Sequence, residues 1–330
     1  MPVATYDVCA VGNAIVDVIA PVDDAFILAQ GLSKGGMGLI DEERAASLYA
    51  ALPPGIEASG GSAGNTVAGV ASFGGTAAYI GKVADDQLGE VFAHDMTAGG
   101  VHFATAPLKG GAATARSMIA VTPDGQRTMS TFLGASNQLT ADDVDEAVVK
   151  AARIVYLEGY LFDPEPARAA FVKAARIARA AGRSTAITLS DAFVVDRHRD
   201  ALIAFLPEVD LVFANETELM SLMQTQDFDA AADGLSGLVK LAAVTRGAEG
   251  SVVLAGKERT TVDAFSTDDV LDTTGAGDQY AAGFMFGLAR GYAYEQCARL
   301  GHLAACEVIG HYGPRPQQSL QAMARERGMI

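Results

Sequence analysis

The strongest constraint on this chain is an alternation. Short apolar, β-branched runs recur at residues 6–12, 77–80, 154–157, 185–189, 211–213, 242–244 and 251–254, several of them separated by segments with helical spacing. Those segments span 63–73, 87–98, 141–150, 165–181, 196–205, 216–223, 276–290 and 294–309. Runs apolar throughout suit strands buried on both faces, and parallel strands need crossovers of helical length between them. The expected class is α/β, with a mostly parallel central sheet flanked by helices on both faces. At 330 residues, 50% of them hydrophobic, the chain can bury a sizeable core.

Two stretches break the rhythm. Residues 14–40 and 101–134 read as strands and turns without helices, including the turn Thr122-Pro123-Asp124-Gly125. Together they are expected to form a small β-sheet lid, leaving 1–13, 41–100 and 135–330 as the large α/β domain. The uncharged stretch from Ala58 to Gly81 is long enough to span a bilayer, but its glycines, serines and Asn65 read as loop, helix, turn and strand.

Charge excludes some partners. With 24 Lys plus Arg against 40 Asp plus Glu, the net charge of -16 repels nucleic-acid backbones and anionic membranes. Cys9, Cys297 and Cys306 have no CxxC spacing and read as reduced structural thiols. The acidic Asp7 and the lack of a basic stretch before an apolar core speak against a signal peptide, so a cytoplasmic location is expected. No P-loop pattern occurs, Tyr280 stands where a dinucleotide fingerprint needs glycine, and the five histidines lack paired metal-ligand spacing.

What remains is Asp272-Thr273-Thr274-Gly275-Ala276-Gly277-Asp278, directly ahead of an apolar helix. Glycines around an alanine let backbone amides approach a ligand, and a helix N-terminus aims unsatisfied donors at one point. Asp278 would repel a statically bound anion. It makes sense as a general base that takes a proton from a hydroxyl attacking a phosphoryl group held by the amides of Gly275, Ala276 and Gly277. A second cluster, Gly60-Gly61-Ser62-Ala63-Gly64-Asn65, admits a ligand against backbone. A third places Asn13 and Asp17 just past the first strand, where open α/β sheets bind ligands; a carboxylate there can accept both protons of a vicinal diol.

These residues together resemble the ribokinase, or PfkB, family of carbohydrate and nucleoside kinases. The 272–278 run matches its C-terminal signature and 60–65 its N-terminal one. Asn215-Glu216-Thr217-Glu218 is similar to its NxxE element, and Thr245-Arg246-Gly247 with Gly250 to its nucleotide turn. Within the family the details are most similar to the adenosine kinase branch, including the run 297–305. The resemblance implies a ribokinase-like fold and ATP-dependent transfer to the 5'-hydroxyl of adenosine. It implies ATP and Mg²⁺, with a monovalent cation such as K⁺ left open, and a monomer or homodimer whose partners are a nucleoside or sugar and ATP. By the same resemblance Asn13, Asp17, Gly60, Gly61 and Asn65 hold the ribose, while Ile15, Tyr160 and Leu161 flank the base. Asn215, Thr245, Gly247, Gly250, His302 and Ala305 meet ATP, Glu218 reaches Mg²⁺ through water, and Arg127 in the lid touches the transferring phosphate.

Departures concern the acceptor. Thr274 stands where some adenosine kinases carry Asn, Gln279-Tyr280 replaces Ala-Phe, and the aromatic Tyr160 stands beside the position where that branch places its stacking ring. Phe103, Phe132, Phe162 and Phe193 read as core packing. The rival readings are a sugar kinase of the same family, acting on ribose, fructose or a keto-sugar acid, and a nucleoside-binding regulatory protein without turnover.

Overall fold

The computed structural model describes residues 4–162, 165–267 and 270–330. In chain order the strands are β1 (Tyr6–Val11), β2 (Ile15–Pro21), β3 (Met37–Leu39), β4 (Ile56–Gly60), β5 (Ala77–Ile80), β6 (Val101–Phe103) and β7 (Ala115–Val121). There follow β8 (Arg127–Phe132), β9 (Ala152–Glu158), β10 (Ser184–Thr188), β11 (Leu211–Asn215), β12 (Leu241–Thr245), β13 (Ser251–Ala255) and β14 (Glu258–Val262). Nine of them form a large sheet in the order β14-β13-β12-β11-β10-β9-β1-β5-β6, parallel except at β13 and β14. The connection order reverses at β1, which pairs with β9 on one side and β5 on the other. A crevice therefore opens beyond the C-terminal end of β1.

The alternation of side chains along β1 divides the core. Val8 and Ala10 pack with Ala63 and Val67 of the helix Ser62–Ser72 and with Ala281 and Phe284 of the helix Ala276–Ala289. Cys9 and Val11 pack on the opposite layer, which holds Phe171 and Ala174 of the helix Glu165–Ala180. The expected ribokinase-like α/β architecture is present. The stretch from Ala58 to Gly81 resolves into the end of β4, the helix Ser62–Ser72 and β5, and among the described residues no helix is long and apolar enough to cross a membrane.

The small sheet has the order β3-β8-β7-β2-β4. Its composition departs from the sequence reading in two places: β4, assigned to the large body, is an edge strand antiparallel to β2, while β6, assigned to the lid, pairs with β5 in the large sheet. The stretch 14–40 also contains a helix, Asp24–Ala29, whose first turn is closed by the Asp23 carboxylate accepting from the Phe26 amide at 2.8 Å. The helix Glu42–Ala51 covers one face of the sheet by burying Ala45 and Leu48 against Met118 and Phe132. The opposite face looks into the crevice. The helix expected over 141–150 is divided, because Asp145 accepts from the Ala147 and Val148 amides and starts a new helix at Glu146.

Candidate active site

Strand register brings the separate sequence clusters together. Val11 of β1 pairs with Leu157 of β9, so the next residues on each strand, Gly12-Asn13 and Glu158, meet at the crevice. Glu158 accepts from Asn13 Nδ2 at 2.8 Å, from the Asn13 amide at 3.3 Å and from the Ala63 amide at 2.9 Å, which ties the end of β1 to the helix Ser62–Ser72. That leaves Asn13 Oδ1 buried without a hydrogen-bond partner among the described residues, an acceptor free for a ligand hydroxyl. Three residues on from β1, β2 leaves for the small sheet with Ile15 and Asp17 on its cleft-facing side. Gly60 sits against that carboxylate so closely that a Cβ would lie 2.3 Å from Asp17 Oδ2.

Asp278 occupies the first turn of the helix Ala276–Ala289. The preceding Gly275 has φ 78°, and a Cβ there would come 2.7 Å from Pro314 Cα, so both conformation and space require glycine. Ser62 Oγ donates to Asp278 Oδ1 at 2.5 Å and Asn65 Nδ2 donates to Oδ2 at 3.2 Å. Of the three amides read as an anion hole, that of Ala276 already donates to Thr273 O at 3.2 Å, leaving Gly275 and Gly277 as the donors.

Asn13, Ile15, Asp17, Gly61, Asn65, Tyr160, Asn215, Glu218, Thr245, Gly275, Gly277 and Asp278 all line one cleft of about 430 Å³. Leu161 does not: it is fully buried in the layer holding Phe162 and Phe171. Phe193, read as core, lines the cleft beside Tyr160, with ring centroids 6.1 Å apart. His302 also lies outside the cleft lining, because its ring is enclosed with Nε2 2.8 Å from Ser251 Oγ and its edge against Tyr280. Burial pushes it down to about 4, which keeps the ring neutral near pH 7. Gly247 and Gly250 shape the turn between β12 and β13, and Ala305 is half-buried on the helix Tyr294–Ile309; none of these lines the cleft. Arg127 is held by Asp272 at 2.8 Å and lies 3.4 Å from Thr274 Oγ1.

Burial pushes four cleft carboxyls upward, Asp278 to about 6 and Asp17, Glu158 and Glu218 to about 7. Arg315 and Arg127 draw Asp17 partly back down, whereas Asp278 pushes it up. Glu218 accepts from the Asn215 amide at 3.0 Å and from Asn215 Nδ2 at 2.7 Å. Among the described residues no cluster of three metal-ligating groups exists. These hard oxygens fit a divalent ion that comes with phosphates and is reached through water, not one held in a protein cage.

Residues 56–320 match the pfkB family carbohydrate kinase. The chain belongs to that family. This kinase is therefore a phosphotransferase with an alcohol group as acceptor. It shares 55% identity with an adenosine kinase structure from Sinorhizobium meliloti, with a TM-score of 0.91 and coverage of 98% of this chain and 100% of that one. A structure described as a "probable sugar kinase protein" from Rhizobium etli shares 49% identity, with a TM-score of 0.92 and coverage of 99% and 100%. Adenosine kinase of Saccharomyces cerevisiae is 27% identical over 332 residues, covering 94% of this chain and 96% of its own.

Several groups in the kinase's cleft or bonded to its lining residues carried no sequence signal. Glu158 ends a strand like any other, and Arg315 stands in a proline-flanked loop far along the chain. Ser190, at φ 68°, is strained for a serine and lines the cleft. The face of the small sheet is legible only once its register is known. Asp17 pairs with Ser117, which pairs with Thr131, making a polar row; Ile119 pairs with Met129, which pairs with Met37, making an apolar row beside it. The two hydroxyls of the polar row lie 2.8 Å apart.

Proposed function

We propose that this kinase transfers the γ-phosphoryl group of ATP to the 5'-hydroxyl of adenosine, forming AMP in purine salvage. The observation that carries the reading is the pair of parallel rows on the small sheet facing the same cleft as Asp278. The polar row, with Asn13 lining the same cleft, suits a ribose diol; the apolar row of Ile119, Met129 and Met37, with Tyr160 and Phe193, suits a purine. The 55% identity to an adenosine kinase supports the same acceptor.

Asp278 accepts the proton of the 5'-hydroxyl as that oxygen bonds to the γ-phosphorus and the bond from phosphorus to the ADP oxygen breaks. The Gly275 and Gly277 amides stabilise the negative charge on the transferring group. Asn215 and Glu218 would hold Mg²⁺ through water, and the ion when bound supplies charge neutralisation at the phosphates. Closure of the small sheet excludes water from the reaction.

The second reading is a free-sugar acceptor, in line with the printed description of the Rhizobium etli relative. A sugar alone would leave the apolar row without an occupant. Release of ADP from MgATP, measured in parallel with adenosine, inosine, ribose, fructose and a keto-sugar acid, decides between them. Selective turnover of adenosine is expected, and turnover of a free sugar alone would overturn the acceptor assignment.

A further inference from the structure

Asn65 lies between two groups of opposite hydrogen-bonding character. On one side Arg315 donates from Nε to Asn65 Oδ1 at 3.4 Å; on the other, Asn65 Nδ2 donates to Asp278 Oδ2 at 3.2 Å. A guanidinium can only donate and an ionised carboxylate can only accept. An amide held between them is satisfied in one orientation, with oxygen toward Arg315 and nitrogen toward Asp278. Arg315 is itself fixed, donating from Nη1 to Ser59 Oγ at 2.6 Å with Nη2 3.6 Å from Met96 Sδ. Ser59 is in turn tied down, its amide donating to Asp95 at 2.9 Å.

We propose that Arg315 is a positioning residue that locks the Asn65 amide with its nitrogen on Asp278, so that the catalytic base keeps a directed donor. The inference rests on the reading of Asp278 as that base. It also revises the part assigned to Asn65 by resemblance: both ends of its amide are engaged within the protein, so its first task is to hold the base.

The consequence is a pH dependence carried through Asn65. A donor on the carboxylate favours its ionised form, and loss of the lock lets the amide turn its oxygen toward Asp278, which disfavours that form. The other titratable groups around the pair are Asp17 on β2, Tyr79 on β5 and Asp95 on the helix Gln87–Ala98 near Arg315. Around Asp278 they are Asp17, Tyr156 and Glu158 on β9, Tyr160, and Glu218. Of the groups around Asp278, Asp17 is the one that Arg315 influences directly by charge. The test must therefore separate a path through Asn65 from a path through Asp17.

The experiment is the pH profile of kcat/KM for adenosine with MgATP in the full chain, for wild type, Arg315→Met, Asn65→Ala and the double variant. Arg315→Met is expected to move the acid limb upward by about one pH unit, the scale of a lost donor to a carboxylate. Asn65→Ala is expected to move it similarly, and adding Arg315→Met to Asn65→Ala should move it no further. A limb that stays in place in Arg315→Met, or that moves as far again when Arg315→Met is added to Asn65→Ala, overturns the inference. If Arg315→Met does not fold, Asn65→Ala alone must move the limb and Arg315→Lys must hold it; an unmoved limb in Asn65→Ala, or a moved one in Arg315→Lys, overturns it equally. Asp278→Asn run alongside distinguishes the two readings, since turnover that survives that change refutes the base assignment itself.

Discussion

Arg127 reaches from the start of β8 across to Asp272, 2.8 Å away, and each side chain of the pair is 7% exposed. The partner is no ordinary surface acid. Asp272 Oδ1 also accepts from Thr274 N and Oγ1, and its Oδ2 from the Gly313 amide, so it organises the turn that delivers Gly275 to the helix N-terminus. The ring of Tyr312 packs on the Arg127 guanidinium, with its centroid 5.6 Å away. The small sheet is thus fastened to the turn beside Asp278 by a buried ion pair.

Breaking one side of such a pair leaves a buried charge, at a cost of about 3–5 kcal/mol. Arg127→Met and Asp272→Asn are each expected to lower kcat/KM by roughly 10–100-fold, and together to cost less than the sum, with a coupling of about 1 kcal/mol or more. Steady-state kinetics of the four proteins in a double-mutant cycle checks this. Additive losses would mean that the pair does not act as a unit.

Asp278→Asn keeps the volume and removes the base, and kcat is expected to fall by about 10²–10⁴-fold, the usual range for a general base. On the proposed mechanism Asp278 must be ionised, so activity should fall as the pH drops through about 6. A rate–pH profile shows the limb, and a wild-type rate that stays flat down to pH 5 would exclude Asp278 as the titrating group.

Asp17 gives a prediction of opposite sign for stability and activity. Its folded-state value, about 7, stands above its ordinary 3.8, so its contribution to stability is fully present below pH 3.8 and is lost as pH rises through 7. At pH 8 the native state carries a buried, costly charge. Asp17→Asn is expected to raise the Tm at pH 8, with little effect at pH 4, while the KM for adenosine rises by about tenfold or more. Thermal melts at the two pH values with parallel kinetics test both halves.

The apolar row can be probed by removing bulk. Met129→Ala is expected to raise the KM for adenosine by about tenfold through lost apolar contact, while kcat and Tm change little because the side chain is only half-buried in the free protein. An equal loss for adenosine and ribose, if ribose is turned over, would place the purine elsewhere.

The parts of the site that were legible in the sequence are those in which chemistry needs neighbours along the chain. The 272–278 run is one, because an anion site at a helix N-terminus is built from consecutive amides, and Gly60-Gly61 is another, because the approach of Asp17 needs bare backbone. Glu158 and Arg315 were hidden because their importance comes from parallel register and loop packing, which place them beside residues more than a hundred positions away. The small sheet was read only in part for a similar reason. The strand β4 belongs to it by hydrogen bonding to β2 across two intervening helices and β3, and Asp23 and Asp41, which start the helices Asp24–Ala29 and Glu42–Ala51, are caps that apolar periodicity does not register. The surroundings of His302, packed on Tyr280 and outside the cleft lining, were equally hidden, because a histidine beside a ligand and a histidine packed on a tyrosine look the same in one dimension.

Between the end of β1 and the start of β2 lie only Gly12, Asn13 and Ala14. Asn13 is anchored to the large sheet through Glu158, whereas Asp17 rides on the small one. Under the proposed function, a sugar bonded by both residues would span the two sheets at the point where three residues of chain join them. Such a sugar would then couple the position of the small sheet to the placement of its 5'-hydroxyl at Asp278, so that holding the substrate and aligning it become one event.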